Sequence, residues 1–264
     1  MSARGDGWAG GMPRYPDLAG KVAVVTGGSR GIGAATARAL AANGVDVAVV
    51  GRDEAALSAV ADSIRVAEAR AIAVRADCTQ QDDVRHMADT VAEQLGAVDI
   101  LVAFAGGNGM PVPTTEETPD HWREVIDTDL TSAFLTISAV LRTMVERGHG
   151  SIVTMSSSAG RQPARSNAAY AAAKAGVVAF TRHLANEVAP NGVRVNCVAP
   201  SSIETDRLRR WTTPEVRRQL AESFPLRRIG QPADVATTTL FLASDASSWI
   251  TGITLDIAGG MIMI

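Results

Sequence analysis

The stretch that most constrains the fold lies near the amino terminus. Lys21-Val-Ala-Val-Val25 is a short apolar, β-branched run that stops at Thr26-Gly-Gly-Ser-Arg-Gly-Ile-Gly33. Ala34 to Asn43 then has a helix former's composition before Gly44, and Val45 to Val50 is a second apolar run. Strand, glycine turn, helix and strand make a βαβ unit. Glycines at 27, 31 and 33 let the backbone turn tightly and approach a pyrophosphate, with helix-start N–H groups facing the anion. A tight βα turn that binds nothing would have similar glycines, but here the strand before and the helix after supply the context of a dinucleotide site.

The alternation continues: a helix over 53–67, a strand over Ala71–Arg75, a helix over Gln81–Leu95 and a strand over Val98–Phe104. Ala105-Gly-Gly-Asn-Gly109 is a permissive turn over which a cofactor can lie. A long helix runs from Thr118-Pro119 through Arg147, a strand follows over Ser151–Ser156, and the helix bearing Tyr170 reaches about Ala189. Val193–Ala199 is the sixth strand, Gln231–Ser244 a further helix and Thr254–Ile257 the last strand. This order predicts an α/β fold, a single-domain Rossmann-type doubly wound parallel sheet with helices on both faces and ligands outside the carboxyl ends of the strands. Residues 1–19 read as a flexible extension and 20–264 as one dinucleotide-binding catalytic domain.

Ser201–Phe224 breaks the rhythm beside that edge and reads as a substrate lid. Its Arg207, Arg209, Arg210, Arg217 and Arg218 suit an anionic substrate or the cofactor phosphate, or else a solvated helix face around one buried Trp211.

With 46% hydrophobic and 20% charged residues the chain can bury a substantial core, and its net charge of -3 makes no case for nucleic acid or an anionic membrane as partner. No window approaches a membrane span, and the first twenty residues lack the apolar core of a signal peptide. Cys78 and Cys197 lie far apart without a CxxC spacing, as buried or partly buried thiols of a reducing compartment, so a cytoplasmic location is expected. His86, His121, His149 and His183 are scattered without ligand spacing, and no metal is expected.

The second strand ends at Val50-Gly-Arg-Asp53. An NAD site places a carboxylate on the strand's final residue to accept from the ribose 2′-hydroxyl. This chain offers Gly51 and then Arg52, with Arg30 inside the glycine turn, and two guanidiniums suit a 2′-phosphate. NADP(H) is therefore expected over NAD(H), while Asp53 reaches the ribose if the strand ends one residue later. Asp77, directly after the third strand, can accept from the adenine amino group or serve as a loop carboxylate or helix cap. Cys78 is grouped with it among the cofactor contacts, as are Thr26, Gly27, Ser29, Arg30, Gly31, Ile32, Gly33, Arg52, Ala105 and Gly106.

Tyr170 and Lys174 lie one helical turn apart in a segment of small residues, so both project from one face. A lone tyrosine is a poor acid or base at neutral pH, but a neighbouring ammonium favours its phenolate. Ser157, just past an apolar strand, can share the substrate oxygen with the Tyr170 hydroxyl. Alone, Tyr-x-x-x-Lys also describes an ordinary amphipathic helix; the phosphate-binding turn in the same fold tips the reading toward chemistry.

These residues resemble the classical short-chain dehydrogenase/reductase family over residues 20–262. The glycine turn of Thr26–Gly33, Ser157, Tyr170 with Lys174, the tail Pro225-Leu-Arg-Arg-Ile-Gly-Gln-Pro232, Phe241-Leu-Ala-Ser-Asp245 and Ile250-Thr-Gly252 all match in order. The resemblance implies that Tyr170 moves the hydroxyl proton while hydride passes between substrate carbon and nicotinamide. Lys174 would then bind the nicotinamide ribose, Ser157 would polarise the carbonyl, and Pro200, Ile203 and Thr205 would lie at the nicotinamide. It also implies a homotetramer or homodimer, in keeping with apolar outer positions on the long helix and the Tyr170 helix.

Three positions depart from the family pattern. Its Asn-Asn-Ala-Gly reads Ala103-Phe-Ala-Gly106, its fourth catalytic residue, an Asn, reads Asp129, and its Pro-Gly reads Pro200-Ser201. An ionised carboxylate only accepts hydrogen bonds, and its charge opposes a phenolate at Tyr170. The expected function is NADP(H)-dependent hydride transfer between nicotinamide and a small-molecule ketone or secondary alcohol. The arginines that bind an acidic acyl carrier in relatives are replaced here by Gly148 and Asn191, with Arg147 only adjacent. The alternatives are reduction of enoyl or dienoyl thioesters, and a cofactor-binding protein without turnover.

Overall fold

In a computed structural model the chain is described over residues 11–66 and 69–263. Seven strands, β1 (Val22–Thr26), β2 (Asp46–Gly51), β3 (Ala71–Arg75), β4 (Ile100–Ala103), β5 (Gly150–Met155), β6 (Val193–Pro200) and β7 (Thr254–Ile257), form one sheet in the order β3-β2-β1-β4-β5-β6-β7. Every neighbouring pair is parallel. The order reverses between β1 and β4, which opens a crevice at their carboxyl ends.

The helices are α1 (Gly31–Ala41), α2 (Glu54–Arg65), α3 (Gln81–Gln94), α4 (Pro119–Ile126), α5 (Ser132–Arg147), α6 (Ala168–Val188), α7 (Asp206–Trp211), α8 (Pro214–Ser223) and α9 (Pro232–Ala243). Ala23, Val25, Val47 and Val49 pack on one sheet face against α1, α2 and α9. Val22, Val24, Ala48 and Val50 pack on the other against α3, α5 and α6. A strand covered on both faces needs no polar alternation, which is why all of β1 is buried. None of the described helices is long and apolar enough to cross a membrane.

Three expectations are corrected. The long helix of 118–147 is interrupted by a π turn over Asp127–Thr131, and such turns often mark functional sites. Of the supposedly flexible extension, residues 1–10 lie outside the described residues, but the chain is docked before residue 20. Leu18 is fully buried, the Tyr15 N–H donates to Asn43 Oδ1 at 2.8 Å, and Asn43 Nδ2 donates to the Pro13 carbonyl at 3.2 Å. In the 201–224 segment, which folds into α7 and α8, Trp211 is 64% exposed rather than buried.

Candidate active site

A helix start leaves its first N–H groups without partners unless a cap supplies acceptors. Arg30 occupies the cap position of α1 and makes no side-chain cap bond, whereas Asp53, Thr118, Asn167, Thr205 and Thr213 cap α2, α4, α6, α7 and α8. The open donors of α1 border the cleft and fit an anion such as a pyrophosphate. The glycines allow the backbone to close up: a methyl on Gly33 would lie 2.2 Å from the Gly27 carbonyl oxygen, and one on Gly27, at φ 65°, would lie 2.7 Å from that of Phe104.

Thr26, expected as a cofactor contact, is buried beneath this turn and does not line the cleft. Its hydroxyl accepts from the N–H groups of Phe104 at 3.0 Å and Ala105 at 3.1 Å. Thr26 therefore ties down the end of β4, where Ala103 and Phe104 carry no polar side chain.

Gly27, Ser29, Arg30, Gly31, Ile32, Gly33, Arg52, Asp77, Cys78, Ala105, Gly106, Pro200, Ile203 and Thr205 border one cleft of about 920 Å³ together with Ser157, Tyr170 and Lys174. At its outer end β2 does stop at Gly51. Asp53 caps α2 by accepting from the Ala56 N–H at 3.2 Å and forms an ion pair with Arg30. Arg52 lies 4.0 Å from Asp77. Burial works against the Asp77 carboxylate, but the Thr79 N–H at 3.0 Å, the Thr79 hydroxyl at 2.8 Å and the Arg52 charge hold its pKa below the usual range. Burial pushes the neighbouring Cys78 thiol up to about 11, a contact with Thr136 opposing it. Thr205 caps α7, and a methyl on Gly31 would lie 3.3 Å from its side chain, so the 201–224 segment begins directly over the glycine turn.

The inner end is built by α6. Asn167 caps it by accepting from the Tyr170 N–H at 2.7 Å, and donates to the carbonyls of Asn108 at 2.7 Å and Met110 at 2.9 Å. This holds the β4–α4 loop against Tyr170, and a methyl on Gly109 would lie 2.9 Å from the ring. Ser157 follows β5, and its Oγ accepts from the Ala159 N–H at 3.3 Å. The turn bearing it lies flat on α6, because Gly160 has no side chain: a methyl there would sit 2.5 Å from the Lys174 carbonyl carbon. The Ser156 hydroxyl donates to that carbonyl at 2.7 Å, and Arg161 grips Asp256 of β7 through two bonds of 2.9 and 3.0 Å.

The Lys174 ammonium lies 5.6 Å from the Tyr170 ring centre, donates to the Met155 carbonyl at 3.0 Å and pairs with Asp129 Oδ1 at 3.1 Å. Burial disfavours that charge, but Asp129 and Tyr170 outweigh it and hold the Lys174 pKa above its ordinary value. Asp129 is 1% exposed and does not border the cleft. Its carboxylate also accepts from the N–H groups of Gly107 at 2.6 Å and Asn108 at 3.1 Å, bracketing the loop to the lysine.

Sequence reasoning missed Asn167, Ser156 and Gly160. Only Asn167 carried a local signal, an Asn three residues before Tyr170 at the head of a helical run.

A family model described as Enoyl-(Acyl carrier protein) reductase matches residues 27–262. Cis-4-hydroxycyclohexanecarboxylate dehydrogenase of Sinomonas cyclohexanicum is 42% identical over 243 residues, covering 92% of this chain and 97% of that protein. The 3-oxoacyl-[acyl-carrier-protein] reductase of Chlamydia pneumoniae is 38% identical over 246 residues, covering 92% and 98%. Among solved structures, a 3-oxoacyl-[acyl-carrier protein] reductase from Brucella melitensis with bound NAD aligns with a TM-score of 0.87 at 34% identity, covering 95% of this chain and 94% of that one.

Proposed function

The chain belongs to the classical short-chain dehydrogenase/reductase family of oxidoreductases, and from that premise we propose that it moves a hydride between NADP(H) and a ketone or secondary alcohol. The observation that carries this reading is the single cleft that joins Ser157, Tyr170 and Lys174 to an uncapped, glycine-lined helix start. Bound nicotinamide supplies or accepts the hydride.

Tyr170 gives the proton to the carbonyl oxygen in reduction and removes it in oxidation. The Lys174 ammonium lies beside the Tyr170 ring, 5.6 Å from its centre. Two of its three N–H donors serve Met155 and Asp129, which leaves one for a ribose hydroxyl. Ser157 uses its oxygen to accept from Ala159, so its proton is available to the substrate oxygen. Asp129 touches neither cofactor nor substrate space and acts through Lys174 and the β4–α4 loop, as a positioning residue.

The end of β2 at Gly51 supports NADP(H), because the nearest alternative carboxylate, Asp53, is engaged by α2 and Arg30. Arg30 and Arg52 keep donors beyond those their aspartates occupy. A small free substrate is favoured over an acyl carrier by Arg147, whose guanidinium is tied to Asp99 at 2.5 Å and to the Val98 carbonyl at 3.1 Å. Phe134 on α5, 51% exposed and 6.1 Å from the Phe180 ring of α6, supports a homotetramer or homodimer built on these helices.

The test is oxidation of NADPH and NADH against a ketone panel that includes an enoyl thioester. Ketone turnover with NADPH is expected, and Tyr170→Phe should reduce it at least about 100-fold while cofactor binding persists. Binding without turnover on any substrate would replace this reading with a non-catalytic dinucleotide-binding one, which the departures at Ala103, Phe104, Asp129 and Ser201 motivate.

A further inference from the structure

The arginines of the lid are sorted by partner. Glu204 lies 2.7 Å from Arg209 and 3.9 Å from Arg217, and Asp206 lies 3.8 Å from Arg209. Neither Arg209 nor Arg217 borders the cleft. Arg207 and Arg210 do border it, and neither forms an ion pair among the described residues; Arg210 Nε donates only to the Asp206 carbonyl of its own helix, at 3.3 Å. Arg165, from the loop before α6, also borders the cleft, is exposed, and has no ion pair among the described residues. Elsewhere on the cleft each arginine has its aspartate, Arg30 with Asp53 and Arg52 with Asp77. The unpaired guanidiniums bordering the cleft therefore include two on α7, Arg207 and Arg210, beside the Asp206 carboxylate that Arg209 partly neutralises. Uncompensated charge in a concave site concentrates ions of opposite sign.

Apolar surface lies beside it. Trp211, 64% exposed, Met110, 39% exposed, and Leu208 border the same cleft. Arg207 also reaches across the cleft: a methyl on Gly107 would lie 2.9 Å from its Nη1. Two residues further along, Gly109 abuts the Tyr170 ring. Two residues span at most about 7 Å, so Arg207 meets the loop within the length of a small molecule from the place where that loop meets Tyr170.

We propose that the substrate carries a carboxylate on a compact apolar body, a few carbons from the reacting oxygen, and that Arg207 and Arg210 receive that carboxylate. This rests on the oxidoreductase reading above. The cofactor's pyrophosphate has the same chemistry toward Arg207, and the experiment separates the two sources.

The probes are 4-oxopentanoate, 5-oxohexanoate and 6-oxoheptanoate, each beside its methyl ester, assayed with NADPH-saturated protein and titrated calorimetrically into the NADPH complex. A charge-assisted contact at an exposed rim predicts that acids exceed esters in kcat/KM about tenfold, mainly through KM. The acid KM should rise with ionic strength. Arg207→Gln and Arg210→Gln should bring the acid-to-ester ratio toward one, and Arg217→Gln, whose arginine pairs with Glu204 outside the cleft, should leave it unchanged. Equal or better use of the esters, or a ratio untouched by both cleft variants, overturns the proposal. An Arg207→Gln protein with a raised KM for NADPH and an unchanged ratio assigns the residue to the pyrophosphate and overturns it likewise. If no probe turns over, the hydride-transfer reading is decided separately by the ketone panel above. Calorimetric binding of the acids that Arg207→Gln abolishes would then keep the anion site, and no binding of any acid would remove it.

Discussion

Replacing Asp129 with asparagine removes a charge and an acceptor from a place that uses both. At 3.1 Å and an effective dielectric constant of about 20, attraction between the Asp129 and Lys174 charges is worth roughly 5 kcal/mol before desolvation. That figure is not the net effect, since the variant no longer buries a carboxylate. It does keep a buried ammonium, and removing one partner of a buried pair costs about 3–5 kcal/mol. The amide oxygen, seated where Oδ1 is now, retains Lys174 and Gly107. Its nitrogen then faces the Asn108 N–H, donor against donor, where Oδ2 now accepts at 3.1 Å. Because one acceptor survives, the lower end, about 3 kcal/mol, is expected at pH 7.

The assay is urea unfolding, read as a fall in midpoint at constant slope. The pH dependence follows from the raised Lys174 pKa. A raised lysine contributes stability that is complete below its unfolded value of about 10.4 and is lost only above it, so the wild-type contribution is flat across neutral pH. In Asp129→Asn the main raising influence is gone and burial pulls the lysine downward, so the penalty should shrink as pH climbs toward the unfolded lysine value of about 10.4. Stability within about 0.5 kcal/mol of wild type at neutral pH would refute the assigned role of the pair.

Gly160→Ala places a methyl 2.5 Å from the Lys174 backbone, so the Ser157 turn must lift from α6. A loss of about 1–3 kcal/mol in thermal or urea unfolding is expected, with kcat falling while the KM for cofactor holds. The Cys78 thiol, raised from 9.0 to about 11, stays protonated in the fold while the unfolded chain ionises. Its contribution is therefore present below pH 9 and should decline by about 2–3 kcal/mol between pH 9 and 11, and urea titrations of Cys78→Ala should lack that decline.

Much of this protein is written locally. The βαβ opening and the boundaries of β3 and β7 follow from runs of apolar residues and their punctuation, because strand and helix periodicity depend on neighbours within a few positions. Tyr170 and Lys174 share a face because a helix repeats every 3.6 residues, and the glycine turn declares itself because its residues are contiguous. The stop of β2 at Gly51 was legible for the same reason.

Other features depended on which elements the tertiary fold brings together. Thr26 looked like a cofactor contact until β4 packed beside β1 and placed the Phe104 and Ala105 N–H groups at its hydroxyl. Asp129 looked like a catalytic substitution, and the π turn with the approach of α6 made it a bracket for Lys174 and the β4–α4 loop. Spacing left Asp53 open between ribose and helix cap; its contacts with Arg30 and the Ala56 N–H engaged it elsewhere. The arginines of residues 201–224 are alike in sequence, and only packing decides that Arg209 and Arg217 pair with Glu204 while Arg207 and Arg210 border the cleft. Backbone conformation is set largely by adjacent residues, but the partner of a charge or hydroxyl is set by packing between segments distant in sequence, and that partner determines what the group can do.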